Sequence, residues 1–138
     1  MLQSIHSTLA YAVLAVLVLV IINAFLGLSA KRNFTSKDRS ISLIALIFSH
    51  LQLLVGIVVW IVSPLGNAAL SQMSNSAMRL TALEHPLINI IAIVVITIGW
   101  SKHKKEESSN GKFKKIGIFY TLGLLLILSR IPWTNWLA

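Results

Sequence analysis

An all-α integral membrane four-helix bundle is the fold class this sequence predicts, and three observations predict it. Of 138 residues, 56% are hydrophobic and 12% charged, about half the charged share of an ordinary globular domain. The apolar residues gather into four runs, each near the roughly 20 residues a helix needs to cross a bilayer. Ten of the twelve Lys and Arg residues lie in two short segments, 31–39 and 102–115. The runs are too long for barrel strands and do not alternate, which excludes a closed barrel. Nothing is left over for a second unit, so 1–138 is expected to be a single domain of four spans.

The first span is expected from about Thr8 to Leu28. No basic segment precedes it, and its apolar run exceeds a signal-peptide core, so it reads as retained rather than cleaved. The second is expected from about Ile41 to Val62, ended by Pro64 and Gly66, with a polar patch at Ser49, His50 and Gln52 inside it. The third lies within Met78–Lys105. It opens with Arg79, Glu84, His85 and Pro86, is almost wholly apolar from Leu87 to Trp100, and ends in Lys102, Lys104 and Lys105. Pro86 either starts this helix or kinks a longer one and frees the Ala82 carbonyl. The fourth is expected from about Ile116 to Leu137, with Arg130 inside it.

The basic segments account for the net charge of +8 without a nucleic-acid partner, because they are short loops between apolar runs. Short basic loops stay on the cytoplasmic side. Four spans then place both termini outside, the N-out/C-out arrangement. Trp60, Trp133 and Trp136 fall towards the outer boundary and Trp100 towards the inner one, as an aromatic belt requires. The partner expected first is the lipid bilayer, that of a bacterial inner (cytoplasmic) membrane.

The chain has no cysteine, so disulfides, thiolate-held zinc, iron–sulfur clusters and c-type haem attachment are excluded. No P-loop, dinucleotide-binding glycine motif or Ser/His/Asp arrangement is readable, and no catalytic centre of its own is expected. The informative residues are the ionisable ones inside apolar runs, which are expensive there and usually functional. A rise of about 1.5 Å per residue places His50 roughly 16 Å in from Arg39 and His85 roughly 22 Å in from Trp100. The same arithmetic puts Arg130 roughly 22 Å from Lys115 and His6 roughly 37 Å from Lys31, at the outer surface.

Two imidazoles at neighbouring depths on different spans suit one iron held axially, so haem b between His50 and His85 is the specific expectation. His6 is the alternative axial ligand. Zinc or copper would want further ligands, and only Glu84 is near in sequence. Arg130 has two readings: a snorkelling interfacial residue, or a partner for an anion such as Glu84 or a haem propionate. His103, inside SKHKK, is expected to be a solvated loop residue. The rival readings are a cofactor-free accessory subunit whose polar residues glue helices together, and a proton or small-solute conductor using His50, His85, Glu84 and Arg130.

FSHLQLLVG in span two, LEHPLINIIAIVVITIGWSKHKK in span three and FYTLGLLLILSRIPW in span four resemble small bacterial four-span membrane proteins labelled cytochrome b or cytochrome b-like. The resemblance runs from the IHS at Ile5 to Trp133. It implies a haem-b-type membrane protein with electron-transfer character, and the partner expected for those electrons is a quinone, a protein or a larger respiratory or membrane complex. The positions it carries over are His50, His85 and Arg130. The chain is much smaller than a respiratory cytochrome b subunit and lacks paired histidines on each of two helices, so the resemblance implies one haem rather than two.

Overall fold

The computed structural model describes residues 1–64 and 66–133. All regular structure among them is helical. Four long helices, α1 (Leu2–Ser29), α2 (Ser36–Val62), α3 (Ser76–Lys105) and α4 (Ser109–Ser129), follow one another up and down. A short 3₁₀ segment, Asn67–Gln72, lies between α2 and α3. Each helix packs against its two neighbours in a ring, α1 against α2 and α4, and α3 against α2 and α4. Three of the four, α1, α2 and α3, are long and apolar enough to cross a membrane. The fourth carries Lys112, Lys114 and Lys115 in its first two turns, which leaves a shorter apolar run behind them.

The core follows one stripe on each helix. Val13, Leu17, Val20 and Ala24 supply it from α1, and Ala92, Ile96 and Trp100 from α3. Phe113, Ile116, Tyr120 and Ile127 supply it from α4. The α2 stripe is small and polar instead: Asp38, Ser42, Ala45 and Ser49. The Ser42 and Ser49 hydroxyls donate to their own helix, to the Asp38 and Ala45 carbonyls, so they need no partner across the bundle and α2 can approach closely. Opposite this stripe the α4 residue Tyr120 reaches through the core and donates its hydroxyl to the Ser42 carbonyl at 2.8 Å. Between α3 and α4 close approach is made by Gly123, where a Cβ would stand 2.4 Å from Ile96 Cγ1. The outer surface is apolar, with Leu19, Leu26, Leu54, Ile61, Val94 and Leu125 exposed. Such a surface is stable against lipid and not against water.

Helix boundaries differ from the sequence reading at the start of α2, the end of α3 and both ends of α4, each for a local reason. The second helix begins at Ser36 because Thr35 and Asp38 form a capping box, which satisfies the first-turn N–H groups. Asp38 also accepts from Asn23 of α1 at 2.8 Å and from Arg32 at 3.3 Å, tying the α1–α2 connection down. The third helix continues through its basic residues to Lys105, so His103 is not a solvated loop residue. It is buried in the last turn against the rings of Trp100 and Phe34. The fourth helix starts at Ser109, capped by Ser108, and ends at Ser129, ahead of Pro132. Residue 131 is disfavoured in the helical region by that proline. Trp136 and the end of the expected fourth span lie outside the described residues.

Pro86 neither starts α3 nor breaks it. Leu80–Glu84 forms a π turn, closed by the His85 N–H on the Leu80 carbonyl. His85 keeps helical angles of φ −62° and ψ −52°. Because Pro86 has no N–H, the Ala82 carbonyl loses its helical partner, and the Trp60 indole N–H of α2 donates to it at 2.7 Å. Trp60→Phe should therefore cost about 1–2 kcal/mol by leaving that carbonyl unpaired. Pro86→Ala in the same background should recover most of the loss by restoring an N–H. Thermal unfolding of the four members of the double-mutant cycle in detergent measures this coupling. A loss of the same size with and without Pro86 would detach the indole from the carbonyl.

Candidate functional site

A cavity of about 210 Å³ opens between the four helices at the end away from the basic loops. Its walls are mostly aliphatic, with Val13, Leu14, Ile90 and Ile93 among them. Into it come a few polar side chains: His6 from α1, Gln52 from α2, and His85 and Asn89 from α3. An apolar cavity with a small number of convergent polar groups is the usual form of a small-ligand site.

His6 and His85 meet across this cavity, their ring centroids 6.2 Å apart and nearly perpendicular. The His85 tautomer follows from its neighbours. The Arg130 carbonyl lies 3.0 Å from His85 Nδ1 and can only accept, and the Asn89 amide nitrogen 3.2 Å from the same atom is committed to the closer His85 carbonyl, so Nδ1 carries the proton and Nε2 keeps its lone pair. Asn89 donates to the His85 carbonyl at 2.6 Å, one turn below. On the other wall Gln52 Nε2 donates to the His6 carbonyl at 2.9 Å. That bond orients the amide and leaves Gln52 Oε1 buried without a partner among the described residues, as is His6 Nδ1. Gly56 makes room for the His6 ring: a Cβ there would lie 3.1 Å from His6 Cε1.

The structure does not bring His50 and His85 together, which corrects the expected ligand pair. His50 is exposed on the outside of the α2–α3 seam. Its Nδ1 donates to the Leu46 carbonyl at 2.8 Å and its Nε2 lies 3.4 Å from the Thr97 hydroxyl. Counting from Trp100 places His85 too shallow, because α3 runs on to Lys105. Counted to the helix ends, His6 stands roughly 35 Å and His85 roughly 30 Å from the basic end, and His50 only roughly 21 Å. The relay of His50, His85, Glu84 and Arg130 is likewise not assembled, since His50 does not line the cavity.

Arg130 is not inside the fourth helix but caps its end, with a half-exposed side chain. Its guanidinium Nε lies 3.6 Å from Glu84 Oε1, and Arg79 pairs with the other Glu84 oxygen at 2.8 Å. Glu84 thus holds both arginines beside the π turn, and the contribution of Arg130 to the cavity is its backbone carbonyl. The sequence reading counts Gln52 in the polar patch of span two without giving it a role at the site, and gives His6 second place.

Two imidazoles from facing helices fit the donor set of a haem iron. Metal–imidazole bonds of about 2 Å on both sides of an ion put the ring centroids roughly 6 Å apart, near the observed separation. A carbonyl on Nδ1 with Nε2 free, as His85 has it, is the usual orientation of a metal-ligating histidine. The cavity is tight, however: about 150 Å³ suffices for one benzene-sized ring, so a macrocycle requires α1 and α3 to part. No group of three or more His, Asp or Glu side chains gathers among the described residues, so the donors present suit a two-ligand haem and not a zinc-type centre. No family model, curated protein or solved structure matches this chain.

Proposed function

We propose that this protein is a small b-type-cytochrome-like membrane protein that holds one haem b between His6 and His85 in the outer half of a four-span bundle. The observation that carries the reading is the His6–His85 pair across an apolar cavity, with His85 Nε2 left free by the Nδ1 bond to Arg130. With His6 and His85 both holding it, a haem would supply one-electron transfer rather than oxygen chemistry. The chain's own residues do the rest. The Arg130 carbonyl fixes the His85 tautomer, Gly56 leaves space for His6, and aliphatic side chains form most of the remaining wall. Electrons would pass to or from a membrane quinone or a protein partner, in a bacterial cytoplasmic membrane.

The purified protein, expressed with ample haem and reduced with dithionite, should show a sharp α band in the visible region and bind carbon monoxide poorly. His6→Ala and His85→Ala should each remove the low-spin signature, while His50→Ala leaves it intact. Loss on His50→Ala with retention on His6→Ala would return the site to the α2–α3 seam. No haem in any preparation would leave the cofactor-free accessory subunit, a reading favoured by the small cavity and by polar groups that already bond across helices, Gln52 to His6 and Trp60 to Ala82.

The orientation belongs to the same proposal and rests on the basic bias of the 31–39 and 102–115 segments. The fourth span consists of the apolar part of α4. A single cysteine at Asn33 should be protected from an impermeant thiol reagent in intact cells, and one at Asn67 should be labelled. The opposite pattern would invert the topology.

A further inference from the structure

We propose that the basic end of the bundle is a docking surface for anionic phospholipid headgroups, a role independent of the haem reading. Ten Lys and Arg residues gather at this end against three acids, Asp38, Glu106 and Glu107, a balance of 10 − 3 = +7. The far end, with Arg79, Arg130 and Glu84, stands at 2 − 1 = +1, and its three charges close on one another. Two of the three acids at the basic end are already engaged, Asp38 by Arg32 and Glu106 by Lys115. Arg39 and Lys104 are drawn over the Trp100 ring, at 5.2 and 5.8 Å from its centroid.

Lys112 donates to the His103 carbonyl at 3.1 Å and lies over the Phe34 ring, so five cations are left. Lys31, Lys37, Lys102, Lys105 and Lys114 are all exposed, and none has an ion pair among the described residues. They come from the α1–α2 connection and from the ends of α2, α3 and α4 that meet here, so together they ring the bundle. Exposed apolar side chains lie within two turns of them along the helices: Leu26, Ile44, Ile98 and Ile118. That juxtaposition selects the partner. A nucleic acid or an acidic protein would meet the lysines and leave the apolar flank in water. A leaflet of anionic lipid covers the flank with its chains and meets the lysines with its phosphates. The lysines are flexible point charges, suited to headgroups that exchange rather than to one fixed anion.

The test uses the full chain in nanodiscs of phosphatidylcholine, with or without about a third of phosphatidylglycerol. Native mass spectrometry should find phosphatidylglycerol retained over phosphatidylcholine by about tenfold or more, given the attraction that each basic residue adds near an anionic surface. The melting temperature should be higher in the anionic discs, and both effects should shrink as salt is raised. Changing the five lysines to glutamine should abolish the preference, whereas Arg79→Gln should keep it. Should the fivefold variant not fold, Lys37→Gln and Lys105→Gln read singly and together should each lower it in steps. Inorganic phosphate alone should leave the melting temperature unchanged; a shift of equal size with phosphate would make this a small-anion site and overturn the lipid assignment. Equal retention of the two lipids, or a preference untouched by the lysine changes, would overturn it as well.

Discussion

Tyr120→Ala should lower the stability of the purified protein by about 2–4 kcal/mol, measured by thermal or denaturant unfolding in detergent. The ring is fully buried in the centre of the bundle, and aromatic-to-alanine changes in soluble cores cost about 3–5 kcal/mol. Part of that figure is transfer from water, which a lipid-surrounded bundle does not gain in full. The packing part remains, because helix association in membranes rests on van der Waals contact and interhelical hydrogen bonds. Tyr120→Phe separates the two contributions. It keeps the ring and removes only the hydroxyl that donates to the Ser42 carbonyl, and should cost about 1 kcal/mol. If phenylalanine proves as damaging as alanine, the hydrogen bond across the bundle and not the ring is what holds α4 against α2.

Asp38→Ala should cost about 2–3 kcal/mol, below the 3–5 kcal/mol typical of breaking a buried pair, because Arg32 is partly exposed and can rehydrate. The carboxylate is buried and accepts from the Asn23 amide, the Thr35 N–H and hydroxyl, and Arg32. Alanine therefore unpicks the α2 cap and leaves the Asn23 amide without its acceptor. Asp38→Asn keeps one acceptor oxygen and should lose about half as much. Equal melting temperatures for the wild type and the alanine variant would show that the α1–α2 connection is held by Phe34, whose N–H bonds Ser109, rather than by Asp38.

Much of the site was legible in the sequence, in a pattern the depth arithmetic overlooked. The core stripe of α1, Val13, Leu17, Val20 and Ala24, extends backwards in steps of three and four through Ala10 to His6. That of α3 extends from Ile96 through Ala92 and Asn89 to His85. On α2 the stripe Asp38, Ser42, Ala45, Ser49 continues to Gln52 and Gly56 and passes His50 by. A residue next to a stripe position is turned by about 100° on a helix, so His50 was bound to point off the core beside Ser49. The periodicity thus names His6, Gln52 and His85 as inward-facing and His50 as not. Depth alone cannot, because it carries no direction.

What the sequence by itself determined is the helical class, the apolar exterior of three membrane-length helices, the concentration of cations at one end, and the inward register of each helix. Each rests on composition or on the 3.6-residue period, which act within a single helix. What only the tertiary structure decided is which inward residues meet. That depends on where each helix starts relative to its neighbours, and those starts are set by contacts between segments distant in sequence: Asp38 with Asn23, the Trp60 indole with the Ala82 carbonyl that Pro86 frees, and His85 with the Arg130 carbonyl. Sequence spacing counts residues along one helix and carries no information on the offset between two, and it was this offset that brought His6 level with His85.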